Sequence, residues 1–321
     1  MKNPWDNIET PDIDILTIRA DADHPLDFFW AKDHLNNYLF VYEYPASSEI
    51  IINDALDLKG IEINSRVFND LARIIFSLKE KDNWEIFHDL CLNLMSSTNG
   101  LKDTKKAPIY ILNRLKIWYK FLQKNKSGIL KEEEIKGLIG ELLFLKNRVI
   151  PNYGINDSIR FWIGPEGMPQ DFAVNDVAVE VKCQFGGSRP RVKITSEDQL
   201  YTQLQRLVLY VVTLGKTTAE TKDAINLPNL IEEIEIIIND GSSLMVNRFQ
   251  DLLLEAGYRF SEKYQNYNYI FSDEQAFTVI DDFPRIIKND LKDGVINLNY
   301  SINLSDCSGY KIDVDNWEQN N

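Results

Sequence analysis

Two carboxylates and a lysine lie close together in the stretch Asp171-Phe172-Ala173-Val174-Asn175-Asp176-Val177-Ala178-Val179-Glu180-Val181-Lys182. Asn175 and Asp176 both tolerate the positive φ of a tight two-residue turn. A hairpin closed there pairs Val174 with Val177, Ala173 with Ala178, Phe172 with Val179 and Asp171 with Glu180. Alternation then puts Phe172, Val174, Val177, Val179 and Val181 on one apolar face, and Asp171, Glu180 and Lys182 on the other. Directly opposed residues hold their Cβ atoms about 4.5–5.5 Å apart, so two carboxylates there repel each other unless a cation intervenes. A divalent metal resolves the conflict, and Lys182 adds a second positive charge. The plainer alternative is an amphipathic hairpin with a solvated outer face, where acidic and basic residues are usually found. The flanking elements decide between the two.

Before the hairpin, Lys131–Arg148 reads as a helix with Glu132, Glu133 and Glu134 in its first turn, where they complement the helix dipole. Its apolar stripe contains Glu141, inside Gly137-Leu138-Ile139-Gly140-Glu141-Leu142. Each glycine costs up to about 1 kcal/mol in a helix interior, so close packing against a strand is expected to require both. Ile159–Ile163 alternates like a strand, and Gly164–Pro169 is a loop leading to Asp171. After the hairpin, Gly186-Gly187-Ser188-Arg189-Pro190-Arg191 forms a basic loop. With Lys193, Arg189 and Arg191 are positioned to hold phosphates. Ser196–Leu204 has a helix-capping residue followed by acids. Arg206–Leu214 is a continuous apolar strand, buried on both faces. The expected order is helix, strand, hairpin, helix, strand, a mixed α/β layer.

Upstream, Ile13–Ile18, Tyr38–Tyr44 and Ser48–Ile52 read as strands, with Ala31–Asn37 a polar turn and Asn64–Leu78 unassigned. Trp84–Met95 and Ile109–Gln123 have helical spacing. Asn125-Lys126-Ser127-Gly128 closes this region, giving a β-rich N-terminal domain over 1–125 and a second domain over 126–321. Downstream, Leu227–Ile238 and Ser243–Ala256 read as helices, and Tyr264–Thr278 and Val295–Leu304 as strands. The acidic run from Asp313 to Asn321 reads as a frayed tail.

The chain has 321 residues, 44% hydrophobic and 26% charged, which suits a core-forming domain pair. No run approaches the roughly 20 apolar residues of a membrane span. The first residues lack the apolar core of a signal peptide, so a cytoplasmic location is expected, with no membrane partner. The three cysteines (Cys91, Cys183, Cys307) and three histidines (His24, His34, His88) are scattered, which disfavours disulfide frameworks, zinc sites and Ser-His-Asp triads. A net charge of −14 opposes binding nucleic acid through the whole surface. Lys126–Glu220, however, has as many basic as acidic residues, and Leu101–Asn125 is basic, so the middle of the chain can still face a polyanion.

Glu141 on a Gly-Glu-Leu-Leu-Phe-Leu helix, Asp171 at the start of a hairpin strand and Glu180-Val181-Lys182 on the other, in that order, resemble the PD-(D/E)XK nuclease superfamily. The closest likeness is to an uncharacterised bacterial family of PD-(D/E)XK-motif proteins. The resemblance implies a restriction-endonuclease-like α/β core over about 130–215: helix, mixed sheet with a central hairpin, helix. To it are added a β-rich N-terminal domain and an α+β C-terminal extension. It further implies that Asp171, Glu180 and Glu141 bind Mg²⁺ or Mn²⁺ and that Lys182 helps activate water; the preference of Mg²⁺ for oxygen ligands independently adds the Val181 carbonyl as a fourth. Near the metal the Lys182 pKa would be depressed, and Gln184 would position water or phosphate. The position before Asp171 is Gln170, with Pro169 one place earlier. The implied activity is a Mg²⁺-dependent DNA endonuclease in restriction or phage defence, as a homodimer or with partner proteins of a defence system. The alternative is a DNA-binding or assembly subunit that keeps the fold without the activity.

Overall fold

The computed structural model describes residues 2–46, 56–58, 60–99, 101, 104–124, 129–187, 189–241, 243–280 and 282–319. The chain divides into two compact units, 1–128 and 129–321.

In the first unit, aromatic and β-branched runs build one sheet. Its strands are β1 (Ile15–Arg19), β2 (Asp27–Asp33), β3 (Tyr38–Pro45), β4 (Leu56–Asp57), β5 (Ile61–Phe68) and β6 (Leu71–Leu78). They lie in the order β1-β2-β3-β6-β5-β4, all antiparallel. Helices α1 (Trp84–Thr98) and α2 (Ala107–Lys124) follow. Trp5, Phe28, Phe40, Phe76 and Phe87 are fully buried, with Trp5 stacked on Phe87 at 5.1 Å. Ala31–Asn37 is not wholly a turn, because Ala31, Lys32 and Asp33 extend the Phe28-Phe29-Trp30 alternation as β2. The turn comes only at Asp33–Asn36, where Asn36 has φ 62° and the Asp33 carboxylate accepts the Leu35 and Asn37 N–H groups. The unassigned Asn64–Leu78 resolves into β5 and β6, turning at Asn69 (φ 51°). Ser48–Ile52 lies outside the described residues.

The second unit begins with α3 (Glu132–Phe144), continues through a π-helical turn at Leu145–Val149, and passes into α4 (Ile150–Phe161). The stretch Ile159–Ile163 is therefore not a strand. Its Ile-x-Phe-x-Ile alternation is outweighed by the i, i+3 pair Ile159 and Trp162, both buried in the main core. A five-stranded sheet follows, made of β7 (Phe172–Val174), β8 (Val177–Phe185), β10 (Arg206–Thr217), β11 (Asn268–Thr278) and β13 (Lys311–Ile312). β9 (Arg191–Ile194) and β12 (Tyr300–Asn303) pair separately as a ribbon. Helices α5 (Leu227–Gly241) and α6 (Ser243–Glu255) lie between β10 and β11 in sequence. The sheet order is β13-β11-β10-β8-β7, with β8 and β10 parallel and the other pairs antiparallel. The hairpin thus sits at the edge of the sheet, with β7 outermost, rather than at its centre.

Both faces of this sheet are covered. Val177, Val179 and Val181 pack with Ile139, Leu142, Val208 and Tyr210 on one side. Ala178, Leu207, Leu209 and Val211 pack with Val192, Ile194, Leu200 and Ile302 on the other. The β9–β12 ribbon and the segment after it supply that second layer. Ser196–Leu204 accordingly forms turns instead of a helix. The Ser196 hydroxyl accepts from Asp198 N at 3.1 Å, and Gln199 Oε1 takes Thr195 N at 2.8 Å, so local side-chain bonds displace helical ones.

α3 approaches β8 closely. A Cβ on Gly140 would lie 2.3 Å from Cys183 Sγ and 3.5 Å from Val181 Cγ1, whereas Gly137 has open space beside it. The close-packing demand therefore falls on Gly140 alone. The C-terminal run is anchored, not frayed. Trp317 is fully buried against Phe144 (ring centroids 5.2 Å apart), Arg148 pairs with Asp315, and Arg206 Nη1 donates to the Glu318 carbonyl at 2.5 Å. Burying one indole outweighs the surrounding charge in holding the segment down.

Candidate active site

The hairpin closes at Asn175, whose φ is 52°, with the pairs Phe172–Val179, Ala173–Ala178 and Val174–Val177. Asp171 stands just outside this ladder. Its carbonyl accepts the Ile163 and Gly164 N–H groups, both at 2.9 Å, and its carboxylate Oδ2 accepts Val181 N–H at 2.7 Å. Asp171 thus caps the ladder with its side chain instead of pairing through its backbone with Glu180. In a strand the N–H and C=O of one residue point the same way, so the Val181 carbonyl also faces the Asp171 side.

Glu180 projects from the opposite face of β8 to Val179 and Val181 and is 1% exposed. The solvated-face reading therefore fails, because the second layer covers that face. Lys182 Nζ pairs with Glu180 Oε1 at 2.6 Å, and no other donor among the described residues reaches either carboxylate oxygen. Glu141, on α3, accepts a 2.8 Å hydrogen bond from Trp162 Nε1. Trp162 is itself buried, and bridges to Phe172.

These groups feel one another. Burial, then Asp171, holds the Glu141 carboxyl well above the usual carboxylate range, with Glu180 adding to the rise and Trp162 and Lys182 opposing it. Burial pushes Asp171 up to about 6 against the pull of Lys182 and the Val181 N–H. Burial and Asp171 push Glu180 up to about 8, again against Lys182. Burial acts to depress the Lys182 ammonium, but Glu180 and Asp171 outweigh it and raise its pKa above the ordinary value. The depressed lysine expected from sequence is therefore reversed. Surrounded by carboxylates, Lys182 keeps its proton at neutral pH.

The donors fit a hard cation. They are carboxylate and carbonyl oxygens, and the buried Glu180 carboxylate, paired through Oε1 with Lys182, keeps an Oε2 without a donor among the described residues that a divalent ion would partner. Among the described residues no group of three or more His, Cys, Asp or Glu side chains is placed to hold a metal ion together. Asp171, Glu180 and Glu141 reach the sheet edge from three elements without closing on one point.

The remaining expected site residues lie apart from this group. Gln184 Nε2 donates to Thr213 Oγ1 and its Oε1 accepts Arg191 N–H, both at 3.1 Å, so its amide fixes the start of β9. Arg191 and Lys193 are exposed on strand β9 rather than in a loop, and Arg189, also exposed, precedes it.

Three supporting residues escaped sequence reasoning. Trp162 holds Glu141. Gln170, next to Asp171 and 8% exposed, donates through Nε2 to the carbonyls of Asp198, Gln199 and Tyr201 at 2.7, 3.3 and 2.8 Å. Gly164 sits where a Cβ would meet Asp171 Cα and Oδ1, both at 3.0 Å. The only sequence signal for Gly164 was its place in a Gly-Pro-Glu-Gly run. Gly164→Ala is expected to displace the Asp171 carboxylate and lower Mn²⁺ affinity about 10–100-fold, the range for losing a ligand's support. Titration of Mn²⁺ into the variant, beside a thermal melt within a few degrees of wild type, checks this.

No described helix is long and apolar enough to cross a membrane. No curated protein and no solved structure gives a significant match to the chain. One family does match, over residues 1–305, and it is described as "Putative PD-(D/E)XK family member (DUF4420)". The match covers both units and the whole carboxylate–lysine group, so the chain belongs to this PD-(D/E)XK family.

Proposed function

We propose that the chain is a metal-dependent DNA endonuclease that hydrolyses phosphodiester bonds, working in restriction or defence against phage. The observation that carries this reading is the buried Glu180 carboxylate, whose one close cation is Lys182 and which Asp171 and Glu141 crowd with like charge. A folded chain bears such a cost where a ligand relieves it. Asp171 and Glu180 would hold Mg²⁺ or Mn²⁺, with the Val181 carbonyl and Glu141 as further oxygen donors. The ion, when bound, supplies charge neutralisation at the phosphate and a more acidic water. Lys182, held protonated, donates to the attacked phosphate or to the water that attacks it. Trp162 keeps the Glu141 carboxylate turned toward the group, and Arg189, Arg191 and Lys193 would meet the phosphates on either side.

Incubating supercoiled plasmid with the purified protein in Mg²⁺, Mn²⁺ or EDTA tests this reading. Nicking or linearisation with either ion, absent in EDTA and in Asp171→Ala, is the expected result. DNA retention on a gel without cleavage under any condition would instead identify a binding subunit that keeps the nuclease fold.

A further inference from the structure

We propose that a cleft at the start of β10 binds a nucleoside monophosphate, either free or as one unit of a DNA strand. The cleft has a volume of about 620 Å³, within the usual range for small-ligand sites. Its cationic groups are Arg206 and Arg285, and no carboxylate among the described residues lines it. In a chain of net charge −14, a wall with two guanidinium groups and no acid selects an anion. Both arginines are oriented by main-chain carbonyls, Arg206 Nη1 by Glu318 at 2.5 Å and Arg285 Nη1 by Leu200 at 2.7 Å. Each fork is thus set in place before a ligand arrives, as phosphate recognition favours.

The rest of the lining is not that of a bare phosphate site. Leu204, Leu207 and Ile280 give it apolar walls, and Tyr201, 45% exposed, offers a ring face on which a base can stack. The ligand therefore has a flat apolar part joined to an anionic part. One lining residue stands close in register to the strand that carries Glu180. Leu207 pairs with Ala178 and Leu209 with Glu180, so the cleft wall lies two residues, about 7 Å, along the sheet face that carries Glu180. The Tyr201 carbonyl is bonded to Gln170, the residue before Asp171. Binding of a nucleotide here does not depend on the chain cutting DNA.

Isothermal titration of the full chain in EDTA with dAMP, deoxyadenosine and inorganic phosphate tests the proposal separately from cleavage. Binding of dAMP tighter than of either fragment, weakened about tenfold or more in both Arg285→Gln and Tyr201→Ser, is expected. The exposed Tyr201 keeps the test meaningful if Arg285→Gln loosens the Leu200 loop. Competition by dAMP against an intact single-stranded oligonucleotide, but not against one made wholly of abasic units, assigns the site to a nucleotide of the strand. Binding of dAMP without such competition assigns it to free nucleotide. No dAMP binding at millimolar concentration, phosphate binding as tight as dAMP, or wild-type affinity in Tyr201→Ser overturns the proposal.

Discussion

Glu180→Gln is expected to abolish divalent-cation-dependent cleavage while making the metal-free protein more stable at and above neutral pH. The glutamine keeps the shape of the buried side chain but removes the charge that burial penalises. A cleavage loss of at least about 100-fold is expected, since even groups that only support a ligand cost about 10–100-fold. The stability gain follows from proton linkage. The Glu180 carboxyl has an ordinary pKa of 4.5 in the unfolded chain and about 8 in the folded one. Between those values the native state keeps a proton that the unfolded state has lost. Stability from this group is therefore complete below 4.5 and declines as pH rises to 8, with a slope of up to about 1.4 kcal/mol per pH unit. Asp171 adds a smaller decline of the same sign between 3.8 and about 6. Melting temperatures in EDTA should thus fall from pH 5 to pH 8 in wild type and fall less in Glu180→Gln, where the raised Glu141 and Asp171 carboxyls keep their own declines of the same sign. A wild-type melting temperature that does not decline over this range would mean that the pair is ionised without penalty, and the metal reading would lose its main support.

The hairpin was legible because three signals coincide in the twelve residues from Asp171 to Lys182. Alternation sets the faces, Asn175 accepts positive φ, and the register then fixes which side chains are opposed. Gly140 was legible in a different way, as a cost in helix propensity that only close packing repays, and Cys183 Sγ is what it packs against. The burial of Glu180 was not legible. Its cover comes from Val192, Ile194 and Ile302, the last of them over 120 residues away, and nothing local to the hairpin announces that layer. Trp162 was missed for a related reason. Its indole reaches Glu141 only because α4 continues through Ile159 and Phe161, which alternate like a strand when read alone. Gln170 occupies a position at which the motif gave no expectation, and its role depends on the turn segment it ties down.

The edge position of the hairpin changes how the site can be reached. β7 has only three residues, so β8 extends beyond it with the Val181 N–H and C=O facing outward. Asp171 occupies the N–H, which leaves the carbonyl for a ligand. Edge strands normally have such groups covered or guarded by charge. Here the guard is the site itself, and α3 closes it from the other face through Glu141. Arg191 and Lys193, exposed on β9, remain open to solvent while both faces of the sheet are covered.

Lys182→Met is expected to stop cleavage while leaving cation binding intact, and to change how that binding depends on pH. Lys182 lies 2.6 Å from Glu180 and is 17% exposed, so methionine can fill its space without a large void. The ammonium currently pulls the Asp171, Glu180 and Glu141 pKa values down. Without it all three carboxyls rise further, and protons compete harder with the ion. Once the carboxylates are ionised, however, an ion in the variant no longer meets a neighbouring positive charge. Mn²⁺ should therefore bind Lys182→Met more weakly than wild type near pH 6 and at least as tightly near pH 9. Cleavage should remain lost at both values, because the donor to water and phosphate is gone at every pH. Titrations of Mn²⁺ at the two pH values, beside plasmid cleavage, separate the roles. Wild-type cleavage by Lys182→Met at pH 9 would remove the lysine from the chemistry. Loss of Mn²⁺ binding at both values would make it a structural partner of Glu180, needed to keep the carboxylates in place.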